Sequence, residues 1–344
     1  MVPTEDNSHC RIIVDAMGGD YAPQNAVIGA VHASMSDPSI ELFLAGQKQA
    51  IINVLISNNL KFDYDKIIDA DDVISMSESP TTAIKSKPNS SIVLGTKLVR
   101  EKKADAFVSA GNTGAVVAAA TFNIGRLKGV ERPTIGTFIP NATGVTTVFD
   151  VGAFVDSKPA HLLGYGIMSS IYVKEIYGIP EPTVALLSVG EEDEKGNKVT
   201  KEAFELLKRS RLNFKGNVEG RDILAGKVNI VLCDGFIGNI LLKFGESVPK
   251  LLKHLLLSYS KKNIINKLKV GMFKNILKEA LQPLDYQGYG GVPLLGVNGV
   301  CIIGHGSSSV TAIKNMVLRA KEMYDKQLTY KIEESLTNYA DSRD

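Results

Sequence analysis

Six polar turns concentrate the side chains able to do chemistry. DAMGGD (15–20) joins Asp15 to Gly18 and Gly19. The glycines permit positive φ and close approach of backbone to a ligand, while Asp15 can orient that ligand or cap the turn. SAGNTGA (109–115) sets Ser109, Asn112 and Thr113 around two glycines. Three short polar side chains there suit a phosphate or a carbonyl oxygen; an N-cap by Asn112 or Thr113 is the competing reading. DVGAFVDSKPAH (150–161) offers Asp150, Asp156, Lys158 and His161. In GEEDEKGN (190–197), Lys195 stands among Glu191, Glu192, Asp193 and Glu194. Such a run is either a solvated charge cluster or a place where Lys195 reaches an anion. DGFIGN (234–239) supplies Asp234 and Asn239, the latter at a helix start where its amide can donate to a developing oxyanion. GHGSSS (304–309) supplies His305, Ser307 and Ser308. His305 and His161 are the candidates to handle a proton, against the alternative that both only hold structure.

Absent motifs narrow the chemistry. No GxGxxG, GxxxxGK[ST] or GxSxG pattern occurs, so the dinucleotide, P-loop and nucleophile-elbow signatures are missing. Cys10, Cys233 and Cys301 are far apart and match no zinc spacing. Cys233 borders Asp234, but a buried small hydrophobe is the simpler reading. No apolar run approaches the ~18 residues of a membrane span, and the opening MVPTEDNSHC lacks an export-signal pattern. A cytoplasmic chain with no metal and no cofactor is the expectation.

The elements that must carry these turns share one rhythm. A β-branched run such as RIIV (11–14), ADAFVSA (104–110), TTVFD (146–150), TVALLSV (183–189), NIVLC (229–233) or GVCIIG (299–304) enters a turn, and a helical pattern follows. Six strand–turn–helix units predict an α/β fold: a three-layer α/β/α sandwich with a mostly parallel sheet. In such a sheet the turns after the strands converge on one crevice. Helix N-termini there favour an anionic ligand.

Charge is uneven beneath a formal net charge of +2. Eight of the 39 Lys and Arg lie between Lys250 and Lys278, a stretch without Asp or Glu, so 31 basic residues stand against 37 acidic ones elsewhere. Leu251, Leu252, Leu255 and Leu256, then Ile264, Ile265, Leu268, Met272, Ile276 and Leu277, recur at helical spacing. Two amphipathic helices joined near 258–263 are predicted. The segment is poor in Arg and no nucleic-acid motif accompanies it, so nucleic acid is not an expected partner.

Taken in order, DAMGGD, SAGNTGA, GRLKGVERP (125–133), DVGA (150–153), GNVEGRDIL (216–224), DGFIGN, YGG (289–291) and HGSS (305–308) resemble the acyl-carrier-protein:phosphate acyltransferase (PlsX) family of bacterial phospholipid synthesis. The resemblance spans about residues 11–326. It implies formation of acyl phosphate from a long-chain acyl carrier protein thioester and inorganic phosphate. A membrane acyltransferase then passes the acyl group to glycerol 3-phosphate on the way to phosphatidic acid. It implies a fold like that of phosphotransacetylases and isopropylmalate dehydrogenases, and a homodimer. It marks Lys195 and Asn239 as important for substrate binding and activity. His305 joins them here as a catalytic candidate, with Asp15, Gly18, Gly19, Ser109, Asn112, Thr113 and Asp234 expected around substrate and phosphate. Phe154 and Ser188 depart from Asn residues frequent in the family.

Three readings compete for the basic segment. Lys261, Lys262, Lys267, Lys269, Met272 and Phe273 would contact acidic acyl carrier protein, or an anionic membrane surface on which the chain sits peripherally, or the dimer partner. The expected organisation is a flexible tail at 1–9, one catalytic unit at 10–330 with the basic segment at 250–280, and a C-terminal tail at 331–344. A non-catalytic docking protein of the same fold and a decarboxylating dehydrogenase are the rival functions. Normal carrier binding without turnover would mark the first, and NAD(P)-dependent absorbance changes the second.

Overall fold

The structure is a computed structural model and describes residues 9–280, 288 and 290–341. Residues 1–8 of the expected N-terminal tail and Tyr289 of the YGG motif lie outside the described residues.

Branched and aromatic side chains pack well on a pleated surface, and the runs rich in them become strands. In chain order these are β1 (Cys10–Asp15), β2 (Ile40–Gly46), β3 (Ile67–Asp69), β4 (Ala106–Ser109), β5 (Thr134–Asn141), β6 (Gly144–Phe149), β7 (Thr183–Leu187), β8 (Asn213–Val218), β9 (Ile230–Leu232), β10 (Val292–Leu295) and β11 (Val300–Ile303). They form one sheet in the order β3-β2-β1-β4-β11-β10-β5-β6-β9-β7-β8.

The helices are α1 (Gln24–Ser36), α2 (Lys48–Ser57), α3 (Pro80–Ser86), α4 (Ser91–Arg100), α5 (Thr113–Ala119), α6 (Pro159–Tyr177), α7 (Lys198–Lys208), α8 (Gly220–Ala225), α9 (Gly235–Ser260), α10 (Ile264–Ala280), α11 (Val310–Asp325) and α12 (Leu328–Asp341). Successive strand residues point to opposite faces. Ile12 and Val14 of β1 therefore join one core with α1, α6, α7, α11 and α12. Ile13 joins the other, with α3, α4, α5 and α8. The result is the expected α/β/α sandwich.

Strand direction differs from expectation in one consequential way. β1–β4 and β11 run parallel, as do β6–β9. Between these halves, β10 is antiparallel to both β11 and β5, and β5 is antiparallel to β6. Three reversals leave the second half running opposite to the first. The six turns do not meet at one strand edge. DAMGGD, SAGNTGA and GHGSSS belong to the first half, and DVGA, GEEDEKGN and DGFIGN to the second.

The chain's C-terminal stretch is a second correction. Residues 331–341, expected as a tail, continue α12, because Ile332 and Leu336 are buried in the first core. The basic segment forms the two predicted helices, α9 and α10, separated by 261–263. α9 is 26 residues long. Its inner end rests on β6, and its outer part packs on α10. Leu251, Leu252, Leu255, Ile264, Ile265 and Leu268 stay exposed on this hairpin. Among the described residues no helix is long and apolar enough to cross a membrane.

Candidate active site

In the first half, the three turns are tied to one another. Asp15 is fully buried at the end of β1. Its Oδ1 accepts from the Met17 N–H at 3.0 Å and the Ser91 hydroxyl at 2.6 Å, and its Oδ2 accepts from the Ser109 hydroxyl at 2.6 Å. Burial pushes the Asp15 carboxyl up, and these hydrogen bonds act against that rise. Gly18 has no space for a side chain, since a Cβ would meet the Asp15 carboxylate and lie 2.7 Å from the Gly111 nitrogen. The Asp20 N–H donates to the Gly306 carbonyl at 2.7 Å, and the Gly304 N–H to the Ser109 carbonyl at 2.8 Å.

This geometry changes the meaning of several expected ligand groups. Asp15 and Ser109 direct their polar atoms at the turn itself. Asn112 caps α5, accepting from the Ala115 N–H at 3.1 Å. Its amide donates to the carbonyls of Ser75, Met76 and Glu78 at 3.0–3.3 Å. Asp15, Ser109 and Asn112 thus hold the turns in register, and the N-cap alternative accounts for Asn112. Gly18 is buried beneath them, Gly19 is half-buried with φ +105°, and Thr113 is exposed.

The second half is organised by another buried carboxylate. Asp150, at the end of β6, accepts from the N–H groups of Ile135, Gly152 and Ala153 on Oδ1 and of Phe154 on Oδ2, at 3.1–3.3 Å. It wraps the DVGAF turn around itself. α9 starts against this turn. Asp234 is its N-cap, accepting from the Ile237 N–H at 2.8 Å. Cys233 is buried with its Sγ 3.3 Å from the Asp150 carbonyl oxygen, and burial pushes its thiol well up. It behaves as an inert core residue.

Two expected residues keep their polar ends open. Asn239 is exposed and lies beside Gly152, where a Cβ would sit 3.4 Å from the Asn239 amide nitrogen. Lys195 is exposed, with its stem across Gly190. Two of its four acidic neighbours are taken by other cations: Asp193 pairs with Lys208 at 2.9 Å and Glu191 with Lys227 at 2.8 Å. Among the described residues Lys195 forms no ion pair. β7 and β9 are adjacent strands, so the turn after β7 and the start of α9 bring Lys195 and Asn239 to the same edge of the second half.

The two histidines separate clearly. His161 is buried and serves the start of α6, accepting from the Lys158 N–H at 3.0 Å through Nδ1 and facing Glu131 at 3.2 Å through Nε2. Burial pushes its pKa down. His305 is half-buried. Its Nδ1 accepts from the Ser307 N–H at 3.1 Å, and its Nε2 lies 3.7 Å from Oε2 of Glu246 on α9. This contact spans the two halves. Sequence reasoning missed Glu246; the available signal was its place seven residues after Asn239, on the same helical face. Among the described residues no group of three or more His, Cys, Asp or Glu is arranged to hold a metal ion.

Comparison with known proteins shows the family of the chain. The family described as "Fatty acid synthesis protein" matches residues 10–331. A phosphate acyltransferase of Halothermothrix orenii is 48% identical over 328 residues, covering 95% of this chain and 98% of its own length. One from Dictyoglomus thermophilum is 42% identical over 340 residues, covering 97% and 100%. The chain belongs to the phosphate acyltransferase family.

Membership makes the chain an acyltransferase. Among solved structures, a phosphotransacetylase from Streptococcus pyogenes superimposes with a TM-score of 0.63 at 18% identity, covering 92% of this chain and 94% of its own. A 4-hydroxythreonine-4-phosphate dehydrogenase from Klebsiella pneumoniae gives 0.54 at 11%, covering 92% and 99%. These share the fold alone. Phe154 packs its ring under Arg132, 4.9 Å from the guanidinium carbon, and the Ser188 hydroxyl is buried without a hydrogen-bond partner.

Proposed function

We propose that this acyltransferase forms acyl phosphate from long-chain acyl-[acyl carrier protein] and inorganic phosphate, as a step toward phosphatidic acid. The observation carrying this reading is the pair Lys195 and Asn239, both exposed with open polar ends, Lys195 on the turn after β7 and Asn239 near the start of α9, which follows the adjacent strand β9. Hydrogen phosphate is the nucleophile. One of its oxygens bonds to the thioester carbonyl carbon, and the carbonyl oxygen becomes an oxyanion. The C–S bond then breaks and the sulfur leaves as thiolate. A thiol pKa near ~8.5 means that this departure needs little proton help. Lys195 offsets charge on phosphate or oxyanion, and Asn239 donates to the oxyanion. No acyl-enzyme forms.

The mechanism assigns different tasks to the two halves. Gly18, Gly19 and Thr113 border the first half's turns, which Asp15, Ser109 and Asn112 hold rigid. Asp234 fixes the start of α9 and thereby Asn239. His305 faces the same helix from the other side. Rigid supports of this kind align reacting groups without reorganisation.

The α9–α10 hairpin is the docking element. Met272 and Phe273 are exposed large apolar side chains, and Lys261, Lys262, Lys267 and Lys269 are exposed beside them. Apolar and cationic groups on one element suit the surface of an anionic bilayer. Peripheral docking of a cytoplasmic homodimer there places acyl phosphate near the membrane acyltransferase that consumes it.

The decisive assay is release of free thiol from long-chain acyl carrier protein with and without phosphate, with Lys195→Ala in parallel. Release that requires both phosphate and Lys195 supports the reaction and the site. Release by both proteins keeps the reaction and removes Lys195. Silence of the unaltered protein on competent substrate overturns the reaction.

A further inference from the structure

α9 carries a polar stripe along one face. At 100° per residue, Asn239, Lys243 and Glu246 lie within about 60° of one another, and Asn239 and Glu246 are about 10 Å apart along the axis. Along the same stretch of the helix, the large apolar side chains Phe236, Ile240 and Phe244 fall outside this stripe and are exposed. The stripe faces the first half, because Glu246 meets His305 there.

His305 is held from two sides. The Ser307 N–H donates to Nδ1 at 3.1 Å, and the Ser307 hydroxyl lies 2.8 Å from the same nitrogen. In the neutral ring the proton therefore sits on Nε2. Nε2 points to Glu246 Oε2 at 3.7 Å. That separation exceeds a direct hydrogen bond but keeps the carboxylate in contact with the ring edge. Lys243 holds the same oxygen at 3.1 Å. Asp20 is a further charged group at this turn, with its Oδ1 placed 3.1 Å from where a Cβ on Gly306 would sit. Glu246 itself is mostly buried, with a side chain 19% exposed.

We propose that Glu246 is a positioning residue for His305: it fixes the imidazole of the first half against the α9 face that presents Asn239. This rests on the proposed phosphate acyl transfer, and adds that the contact of Glu246 with His305 helps assemble the site across the two halves. A ring aligned in this way is carried to the reacting edge in one orientation. The contact also joins the site to the hairpin, since Glu246 stands on α9 between Asn239 and the outer part of the helix.

The test uses the full chain and two readouts. The first is the NMR signal of the His305 ring at one fixed pH, assigned by its loss in His305→Gln. In Glu246→Gln, which keeps shape and loses charge, the ring signal shifts and broadens as the imidazole loses its fixed orientation. The second is phosphate-dependent thiol release. Here Glu246→Gln lowers kcat by about tenfold to a hundredfold with KM for phosphate within about twofold, and Glu246→Asp recovers part of the loss. An unchanged ring signal in Glu246→Gln overturns the proposal, as does an unchanged kcat. If the unaltered protein releases no thiol, the acyl-transfer reading fails, while the ring signal still decides whether Glu246 positions His305.

Discussion

Gly238 of α9 lies directly against the backbone carbonyl of Asp150, with no space for a side chain between them. One turn earlier, Gly235 meets the Phe154 carbonyl in the same way, and a Cβ there would also stand 2.8 Å from the Asp150 carboxylate. Two glycines on one helix face let α9 seat on the turn that Asp150 organises, and that seat sets where Asn239 emerges.

Gly238→Ala therefore separates helix from turn. Overpacking of this kind costs about 1–3 kcal/mol. A lower urea midpoint and loss of turnover are expected together, and an unshifted midpoint would show that the turn yields.

Lys195→Ala leaves stability unchanged, because the side chain is exposed and forms no ion pair among the described residues. Turnover falls by about 10²-fold, with KM for phosphate raised, as removal of a charge that stabilises the transition state requires. Lys195→Arg distinguishes charge from shape and is expected to recover part of the rate.

Asn239→Ala lowers kcat by about 10²–10³-fold, the usual loss of one oxyanion donor. Its thermal midpoint stays near that of the unaltered chain. A normal kcat in this variant removes the amide from the mechanism.

Glu246 introduces a pH dependence of stability. His305 beside it, with Lys243, lowers its carboxyl from 4.5 to about 2. A carboxylate stabilised in the fold contributes above its ordinary pKa and loses that contribution as pH falls through the depressed value. Between pH 4.5 and about 2, the unaltered chain loses stability more steeply than Glu246→Gln. The difference is on the order of 1 kcal/mol for a partly screened pair, read from denaturant midpoints at successive pH values.

Replacing both Met272 and Phe273 by Glu releases the chain from anionic vesicles. Each large apolar side chain contributes about 1.5–3 kcal/mol on leaving water, and two new carboxylates oppose the surface charge. Co-sedimentation with and without anionic lipid measures it. Retention of both variant and unaltered chain on neutral lipid alone would count against the electrostatic part.

Local rules accounted for most elements. RIIV and NIVLC became β1 and β9, since alternating branched side chains satisfy both faces of a covered sheet. Leu251 and Leu255, and Ile264 and Leu268, lie on the two predicted helices. Helical spacing could not show that these side chains remain exposed, because exposure depends on what else the chain brings to that face. Asp15 and Asp234 were expected at substrate. Residue type marked them as special, but the direction of a carboxylate comes from its surroundings. Asp15 points at Ser91 and Ser109, from distant segments, and Asp234 caps α9.

The order of motifs, the α/β/α layering, the family and the candidacy of Lys195 and Asn239 were all legible in the residues alone. These depend on periodicity, turn chemistry and short-range pattern, which the linear chain contains. Tertiary structure decided three other things: the reversal of the second half through β10 and β5, the absorption of Asp15, Ser109 and Asn112 into supporting turns, and the meeting of His305 with Glu246. Each is a contact between segments far apart in the chain, set by which strands pair and which faces are covered, and no local spacing encodes that choice.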